Sequence, residues 1–340
     1  MHLPVLTHSA TACFRTCPRK YRNRYVLGVR PTRSSDALQW GSAWHSMIEW
    51  NAAGTPQPAI IDDTLLVEIQ CMWAGYDWYW HQNPNVPNNL NIVEWVKVEL
   101  PFNVPILNPD TNRPIRSHTF SGKIDGIVRL ADGRLAIVEH KTTSDVLDFG
   151  GDYLKRVRID QQVSAYVMAA REMGYEIETV LYNIVRKPTI DRKQVAKVDD
   201  EGYKIVLDAN GQRAMTKDGK RPRETGDKEL GYVVQTRLET TQEYTDRLAE
   251  MIATDPAKFF MRVEIPRLDA EIAEFRHELY QQARAIADAE KHGRFYRNTA
   301  ACIGFGRCEY LDSCHLGDDI AQDSRFAVVA DMHPELKGTA

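Results

Sequence analysis

The residues best equipped for chemistry lie in one stretch, Gly122 to Lys141, which carries Asp125, Glu139 and Lys141 around an Asp132-Gly133 turn. Leu135 to His140 reads as a strand. Strand side chains alternate faces, so Glu139 and Lys141 point one way and His140 the other. Asp125 belongs to the preceding strand, Gly122 to Leu130, and neighbouring strands run about 4.8 Å apart. Two carboxylates and an amine can therefore meet on one face. The apolar run Leu135-Ala-Ile-Val138 implies a buried strand, and charges at its end need compensation. A divalent Mg²⁺ or Mn²⁺, held by one or two carboxylates plus water and substrate phosphate, would supply it. Such an ion lowers the pKa of a bound water toward neutrality. Lys141 would then orient or help deprotonate that water and offset the charge of a pentavalent phosphate. A cross-strand salt bridge from Lys141 to Asp125 or Glu139 is the purely structural alternative.

Two further places bear on that centre. His45, on an expected helix beside Trp44, is either a third metal ligand or a packed core histidine. Gln162 and Tyr166 stand four apart on a helix expected over Ile159 to Met173, so they share one face and can touch the sheet. A different chemistry is offered by the cysteines, of which there are six. Cys302, Cys308 and Cys314 are spaced by six in a short loop where Gly304 and Gly306 permit tight turns. A four-thiolate site needs one more ligand, and Cys13 and Cys17, four apart on one helix, both qualify. Cys71 lies in an aromatic-rich helix where an apolar role fits. Thiolates of this kind take zinc or an iron–sulfur cluster.

The elements that must position these groups follow from pattern. Ser9 can cap a helix through Phe14, and residues 36–81 read as helical, with a first piece over Gly41 to Asn51 and a second over Thr64 to Trp80. The run Asn83 to Asn89 closes that insertion, which spans 36–90. Val93 to Val98, Gly122 to Leu130 and Leu135 to His140 read as strands in a meander or hairpin, and Thr179 to Val185 as a further one. Residues 187–231 form a polar arm with turns at Asn210-Gly211 and Asp218-Gly219. Gln242 to Ile252 and Leu268 to His292 return to helix, and residues 316–340 carry no strong pattern. A single domain over 1–315 with a cysteine loop at 300–315 and a tail at 316–340 is the resulting organisation.

With 340 residues, 43% of them hydrophobic, the chain can bury a full core, which excludes a disordered or collagen-like protein. No window approaches a membrane span and the first residues lack a signal-peptide pattern, so a cytoplasmic location without membrane association is expected. The net charge is −4. It conceals a stretch, Met1 to Ser35, with no acid and seven cations, including Arg15, Arg19, Lys20, Arg22 and Arg24. Such a segment is either a phosphate-binding surface or a solvated helix face.

Taken in order, Gly41-x-x-x-His45, Gly122-x-x-Asp125, Glu139-x-Lys141 and Gln162-x-x-x-Tyr166 resemble the PD-(D/E)XK nuclease superfamily, in the branch related to the RecB nuclease domain. Ser9 and Cys17-Pro18-Arg-Lys-Tyr21 resemble the opening motif of that branch. The resemblance covers Ser9 to Cys314. It implies an α/β restriction-endonuclease-like core, a mixed central sheet flanked by helices. It also implies metal binding at the positions of His45, Asp125 and Glu139, catalysis by Lys141, and support from Gln162 and Tyr166. Relatives that carry a [4Fe-4S] cluster take one ligand from the Cys-Pro motif and three from near the C-terminus, which implies Cys17, Cys302, Cys308 and Cys314 here, as a structural clasp. Both C-terminal gaps hold five residues where many relatives have a Cys-x-x-Cys pair, and zinc is the other occupant. The expected function is a Mg²⁺- or Mn²⁺-dependent DNA exonuclease or end-processing nuclease of the phage recombination, repair or CRISPR-associated kind, acting on DNA with a free or single-stranded end. No Gly-x-x-x-x-Gly-Lys-Ser/Thr is present in this sequence, which is consistent with nucleases of that kind, and a recombination or helicase partner protein is a further expectation. A structure-specific endonuclease and a non-catalytic nucleic-acid-binding module are the alternatives. A zinc-dependent hydrolase is a third reading, against which the lack of any His-Glu-x-x-His counts.

Overall fold

A computed structural model of the chain describes residues 3–33, 35–54, 59–60, 62–85, 91–304, 306–317 and 320–336. The end of the linker expected at Asn83 to Asn89, residue 305 of the cysteine loop and parts of the tail lie outside the described residues. In chain order the elements are β1 (Val5–Leu6), α1 (His8–Thr16), α2 (Pro18–Tyr21), β2 (Val29–Pro31), α3 (Asp36–Ala53), α4 (Asp63–Asp77), β3 (Ile92–Leu107), β4 (Pro114–Leu130), β5 (Leu135–Thr143), α5 (Asp152–Arg158), α6 (Gln161–Glu172) and β6 (Thr179–Arg186). They continue with β7 (Gln194–Ala196), β8 (Val206–Leu207), β9 (Val233–Val234), β10 (Thr236–Leu238), α7 (Thr241–Thr254), β11 (Phe260–Glu264), α8 (Asp269–His292), α9 (Leu311–Leu316) and β12 (Phe326–Val328). Two compact units result, one from residues 1–59, 79–186 and 260–340, the other from 60–78 and 187–259.

The first unit is built on a mixed six-stranded sheet in which β1, β4, β5, β6 and β11 run in that order and β3 also pairs with β4. The β3–β4 and β4–β5 pairs are antiparallel, β5–β6 and β1–β4 parallel, and β6–β11 antiparallel. The β5–β6 pair is parallel because α5 and α6 provide the crossover that parallel neighbours require. Gly133, at φ 91°, turns β4 into β5. Both faces of β5 are covered. Ile137 joins a core with Ile127, Tyr182, Val163 of α6 and Leu279 of α8, while Ala136 and Val138 join Val128, Leu181 and Trp95. This explains the unbroken apolar run before Glu139. Pro101 and Pro105 sit in β3, which pairs only with β4 among the described strands and so can spare their missing N–H groups.

Two expectations need correction. Thr7, not Ser9, caps α1, its hydroxyl accepting from the Ala10 N–H at 3.1 Å. The parallel pairing of Val5 and Leu6 with β4 holds those residues extended, so the helix begins immediately after them. The tail is not patternless in three dimensions: β12 pairs antiparallel with β2. Gly28, at φ 67°, makes this approach possible, since a Cβ there would stand 2.5 Å from the carbonyl oxygen of Val329. A three-residue strand whose partner lies about 300 residues away leaves no local period to read.

In the second unit α4 packs on α7. Asp62 caps α4, and Thr240 with Glu243 forms a capping box at α7. The polar arm folds into the short antiparallel pairs β7–β10 and β8–β9. Among the described residues no helix is long and apolar enough to cross a membrane.

Candidate active site

The centre lies where β4 and β5 part. Their pairing runs from Arg129 opposite Leu135 to Gly126 opposite Val138 and ends there. One residue further on, the Asp125 carboxylate replaces the missing backbone acceptor, its Oδ2 receiving the His140 N–H at 2.9 Å. Glu139, 1% exposed, lies next in line on β5. Its Oε1 is 2.8 Å from Lys141 Nζ, and its Oε2 is buried without a hydrogen-bond partner. Lys141 Nζ also donates to Gln162 Oε1 at 2.7 Å and lies 3.0 Å from Asp160 Oδ2. Gln162 Nε2 in turn donates to the Tyr166 hydroxyl at 2.8 Å, so the i,i+4 pair works as one arm of α6. His45, on α3, brings Nδ1 to 3.8 Å from Asp125 Oδ2. His140 faces the other way, pairing with Asn183 at 2.9 Å and standing edge-on to His45 with ring centroids 5.9 Å apart.

Burial dominates the electrostatics. It pushes Asp125 up to about 7, against the His140 N–H and with the help of Glu99. It pushes Glu139 up to about 8, against Lys141 and with the help of Asp125. Burial opposes the Lys141 ammonium too, but Glu139 and Asp160 outweigh it and hold this group above an ordinary lysine. His45 is lowered by burial, against the pull of Glu139 and Glu99. The site thus has more carboxyl groups than it can keep ionised at neutral pH by itself. A hard cation would resolve this, and oxygen donors with one unpartnered buried carboxylate oxygen fit such an ion. Among the described residues no three His, Cys, Asp or Glu side chains close into a finished metal cage. An arrangement of few protein ligands completed by water suits Mg²⁺ or Mn²⁺.

Sequence reasoning missed three neighbours. Asp160 caps α6, accepting from the Gln162 N–H at 2.9 Å, and reaches Lys141 with its other oxygen. Its signal was the Asp one residue before the helix. Glu99 lies between the Val98–Gly126 and Leu100–Ile124 pairs, hence opposite Asp125, at φ 51° and paired with Lys123. The backbone irregularity that places it has no sequence signature. His8 lines two cavities, one with Asp125, Gln162 and Tyr166, the other with Lys141 and Asp160.

The basic residues disperse. Arg15 enters the cavity beside Lys141 and donates to Gln161. Lys20 and Arg24 pair with Glu309 at 2.8 and 3.5 Å. Arg19 donates to the Phe295 carbonyl, and Arg19 and Arg22 line a cavity of about 310 Å³ with Arg297 and Cys314. No disulfide joins any of the six cysteines. Cys17 Sγ accepts from the Asn298 N–H at 3.4 Å, Cys302 Sγ lies 4.0 Å from the Asn298 carbonyl, and the Cys308 N–H donates to the Cys302 carbonyl at 2.9 Å. Cys314 lies within the electrostatic reach of Cys17 and Cys302. Cys13 turns to the main core, and burial raises it to about 12. Cys71 belongs to the second unit.

A family model of the PD-(D/E)XK nuclease superfamily matches residues 5–315. Two curated relatives, both from Streptococcus equi subsp. zooepidemicus, are subunits of an ATP-dependent helicase/deoxyribonuclease. The strain H70 protein is 24% identical over 217 residues, and the strain MGCS10565 protein 23% over 212. These alignments take in 59% and 58% of this chain but 20% and 19% of theirs, so the chain spans about a fifth of the curated relatives it matches. A solved candidate exonuclease from Eubacterium rectale superposes with a TM-score of 0.43 at 11% identity, covering 92% of this chain and 88% of its own.

Proposed function

The chain belongs to the PD-(D/E)XK nuclease superfamily, and from that premise we propose that it is a Mg²⁺- or Mn²⁺-dependent DNA exonuclease or end-processing nuclease. The observation that carries this reading is Glu139, buried beside Asp125 and Lys141 with one oxygen unpartnered. Asp125 and Glu139, with His45 alongside, would hold the cation, which supplies an activated water and charge neutralisation at the phosphate. Lys141 enters as an ammonium, held so by Glu139 and Asp160. Its part is therefore to donate hydrogen bonds to the attacking water or a phosphate oxygen rather than to remove a proton. Gln162, anchored to Tyr166, sets the direction of that ammonium. Arg15, which lines the cavity beside Lys141, would hold backbone phosphate there, and Arg19, Lys20, Arg22 and Arg24, dispersed from that cavity, would contact DNA further away. A helicase or recombination partner belongs to the same proposal, supported by the names of the curated relatives. The test is degradation of end-labelled linear DNA against closed circular DNA with Mg²⁺ or Mn²⁺. Loss of linear substrate alone is expected; binding without hydrolysis under both ions would replace this reading with a non-catalytic module.

The same reading includes a [4Fe-4S] cluster on Cys17, Cys302, Cys308 and Cys314, with zinc the alternative occupant. Soft thiolates suit either group, and Asn298 joins the N-terminal thiol to the first C-terminal one. Arg19, Arg22 and Arg297 beside Cys314 would balance a net negative cluster. Its role here is structural.

Asp160 is a positioning residue in this scheme. Asp160→Asn keeps an equally good helix cap but removes one of the two carboxylates that raise Lys141. The expected result is a roughly tenfold lower kcat with little change in KM or melting temperature. The alkaline limb of the pH–rate profile should move toward neutrality, and Asp160→Glu should recover part of the loss. An unchanged pH profile would leave Asp160 as a cap only.

Metal binding should be linked to pH through the two raised carboxyls. Exposed carboxyls titrate near about 4, whereas Asp125 and Glu139 titrate at about 7 and about 8 in the folded protein. Between those limits the folded state holds protons that the unfolded chain has lost, so without metal these groups cost stability increasingly as pH rises from about 4 to about 8. A divalent cation that displaces the protons reverses that cost. Millimolar Mn²⁺ should raise the melting temperature hardly at all near pH 5 and by roughly 5 °C above pH 8. Asp125→Asn should abolish the rise; a pH-independent rise that survives this change would remove the pair as ligands.

A further inference from the structure

An open cavity of about 620 Å³ adjoins Lys141, lined by His8, Arg15, Tyr153, Arg156 and Ile159 among others. Its chemistry is unlike that of the carboxylate fork. The Arg156 guanidinium lies over the Tyr153 ring at 5.5 Å from the centroid. Ile159, in the link between α5 and α6, is 79% exposed. Arg15 stands on the α1 side. The acids nearby are engaged, Asp160 by Lys141 and Asp145 by Arg156 at 2.7 Å, the latter pair exposed and free to exchange for another anion. An aromatic ring backed by a guanidinium, next to an exposed aliphatic side chain, is a surface for the flat face of a base, while arginines on either side suit backbone phosphate. The volume is that of a nucleotide-sized ligand.

We propose that this cavity is a subsite for one unpaired nucleotide adjoining the phosphate at Lys141, with its base on Tyr153 and Ile159 and its phosphate between Arg15 and Arg156. In a duplex both faces of each base are covered by stacking, so contact with this platform requires a strand that is already single or has been opened. The inference rests on the nuclease reading for the role of Lys141, but not for the binding itself. The preferred substrate is then DNA that is single-stranded at the point of cleavage.

The test measures binding in EDTA, where hydrolysis is silent, using fluorescein-labelled oligothymidylate and a blunt duplex of equal length. Ile159→Ser, at an exposed position, should weaken oligothymidylate binding about fivefold and duplex binding less than twofold. Ile159→Phe, which enlarges the platform, should bind oligothymidylate at least as tightly as the parent, which separates lost stacking from misfolding. Equal weakening for both DNAs, or no change for oligothymidylate, would overturn the subsite. Ile159-dependent binding without hydrolysis in Mg²⁺ or Mn²⁺ would uphold the subsite while ending the nuclease reading. Hydrolysis indifferent to Ile159 in strand preference would do the reverse.

Discussion

Lys141→Ala is expected to lower the proposed Mn²⁺-dependent hydrolysis of linear DNA by about a thousandfold, while binding of the same DNA in EDTA should stay within a few-fold of the parent. The size of the loss follows from how completely the ammonium is held. Three acceptors, Glu139 Oε1, Gln162 Oε1 and Asp160 Oδ2, lie within 3.0 Å of Nζ. A donor fixed in a water-poor site spends nothing on reorganisation when charge develops on phosphate, and removing one such donor typically costs two to three orders of magnitude. The substitution also leaves Glu139 and Asp160 facing each other without their cation, so some stability is lost too. For that reason Glu139→Gln belongs beside it. That change keeps the shape and the acceptor for Lys141, and should reduce turnover to a similar degree with a smaller shift in melting temperature. Full Mn²⁺-dependent activity in either variant would detach this pair from catalysis.

On the proposed [4Fe-4S] site, substituting Cys308 by serine should strip iron from an anaerobic preparation and lower the melting temperature by about 5–10 °C. In the proposed cluster, loss of a ligand would open a loop between Cys17 and the C-terminal thiols that takes in nearly the whole chain, and closing so long a loop restrains the unfolded state. The effect is bounded because the two ends are already joined by ordinary bonds. The Arg19 N–H donates to the Tyr296 carbonyl, Asn298 Nδ2 to the Thr16 carbonyl, and the Tyr21 hydroxyl to Glu290, which also binds buried His118. The β2–β12 pair adds a second seam. Hydrogen exchange should therefore quicken in residues 8–26 and 295–317 while β4 and β5 stay protected. A colourless, iron-free and zinc-free parent protein, with a serine variant of equal stability, would reduce these cysteines to packed thiols.

Much of the site could be read before any fold was known, because its parts obey local geometry. A strand alternates at every residue, which places Glu139 with Lys141 and sends His140 to Asn183. A helix repeats near four, which joins Gln162 to Tyr166. A tight turn at Gly133 makes neighbours of β4 and β5. These relations are set by backbone dihedrals over a few residues, so residue type and spacing suffice. The order strand, strand, helix, strand is legible in the same way, while the parallel pairing of β5 with β6 is a finding of the structure.

What sequence reading missed depends on where separate segments stop and meet. The parting of β4 from β5 beyond the Gly126–Val138 pair turns Asp125 from a ladder residue into the acceptor for His140, and Val5 and Leu6 pair with β4 further along, at Thr119 and Phe120. Glu99 reaches its place opposite Asp125 through a left-handed backbone in a non-glycine residue, a conformation only surrounding structure can impose. Asp160 looks like a helix cap until β5 and α6 are packed together and Lys141 arrives. The tail becomes a strand because β2 offers it a free edge. Residue types and short-range periods thus defined the chemical groups and the elements that carry them. Packing between distant segments chose which charges are buried, which oxygen is left unpaired and where the cysteine-bearing ends of the chain come together, since burial and long-range pairing are properties of the assembled molecule rather than of any window along it.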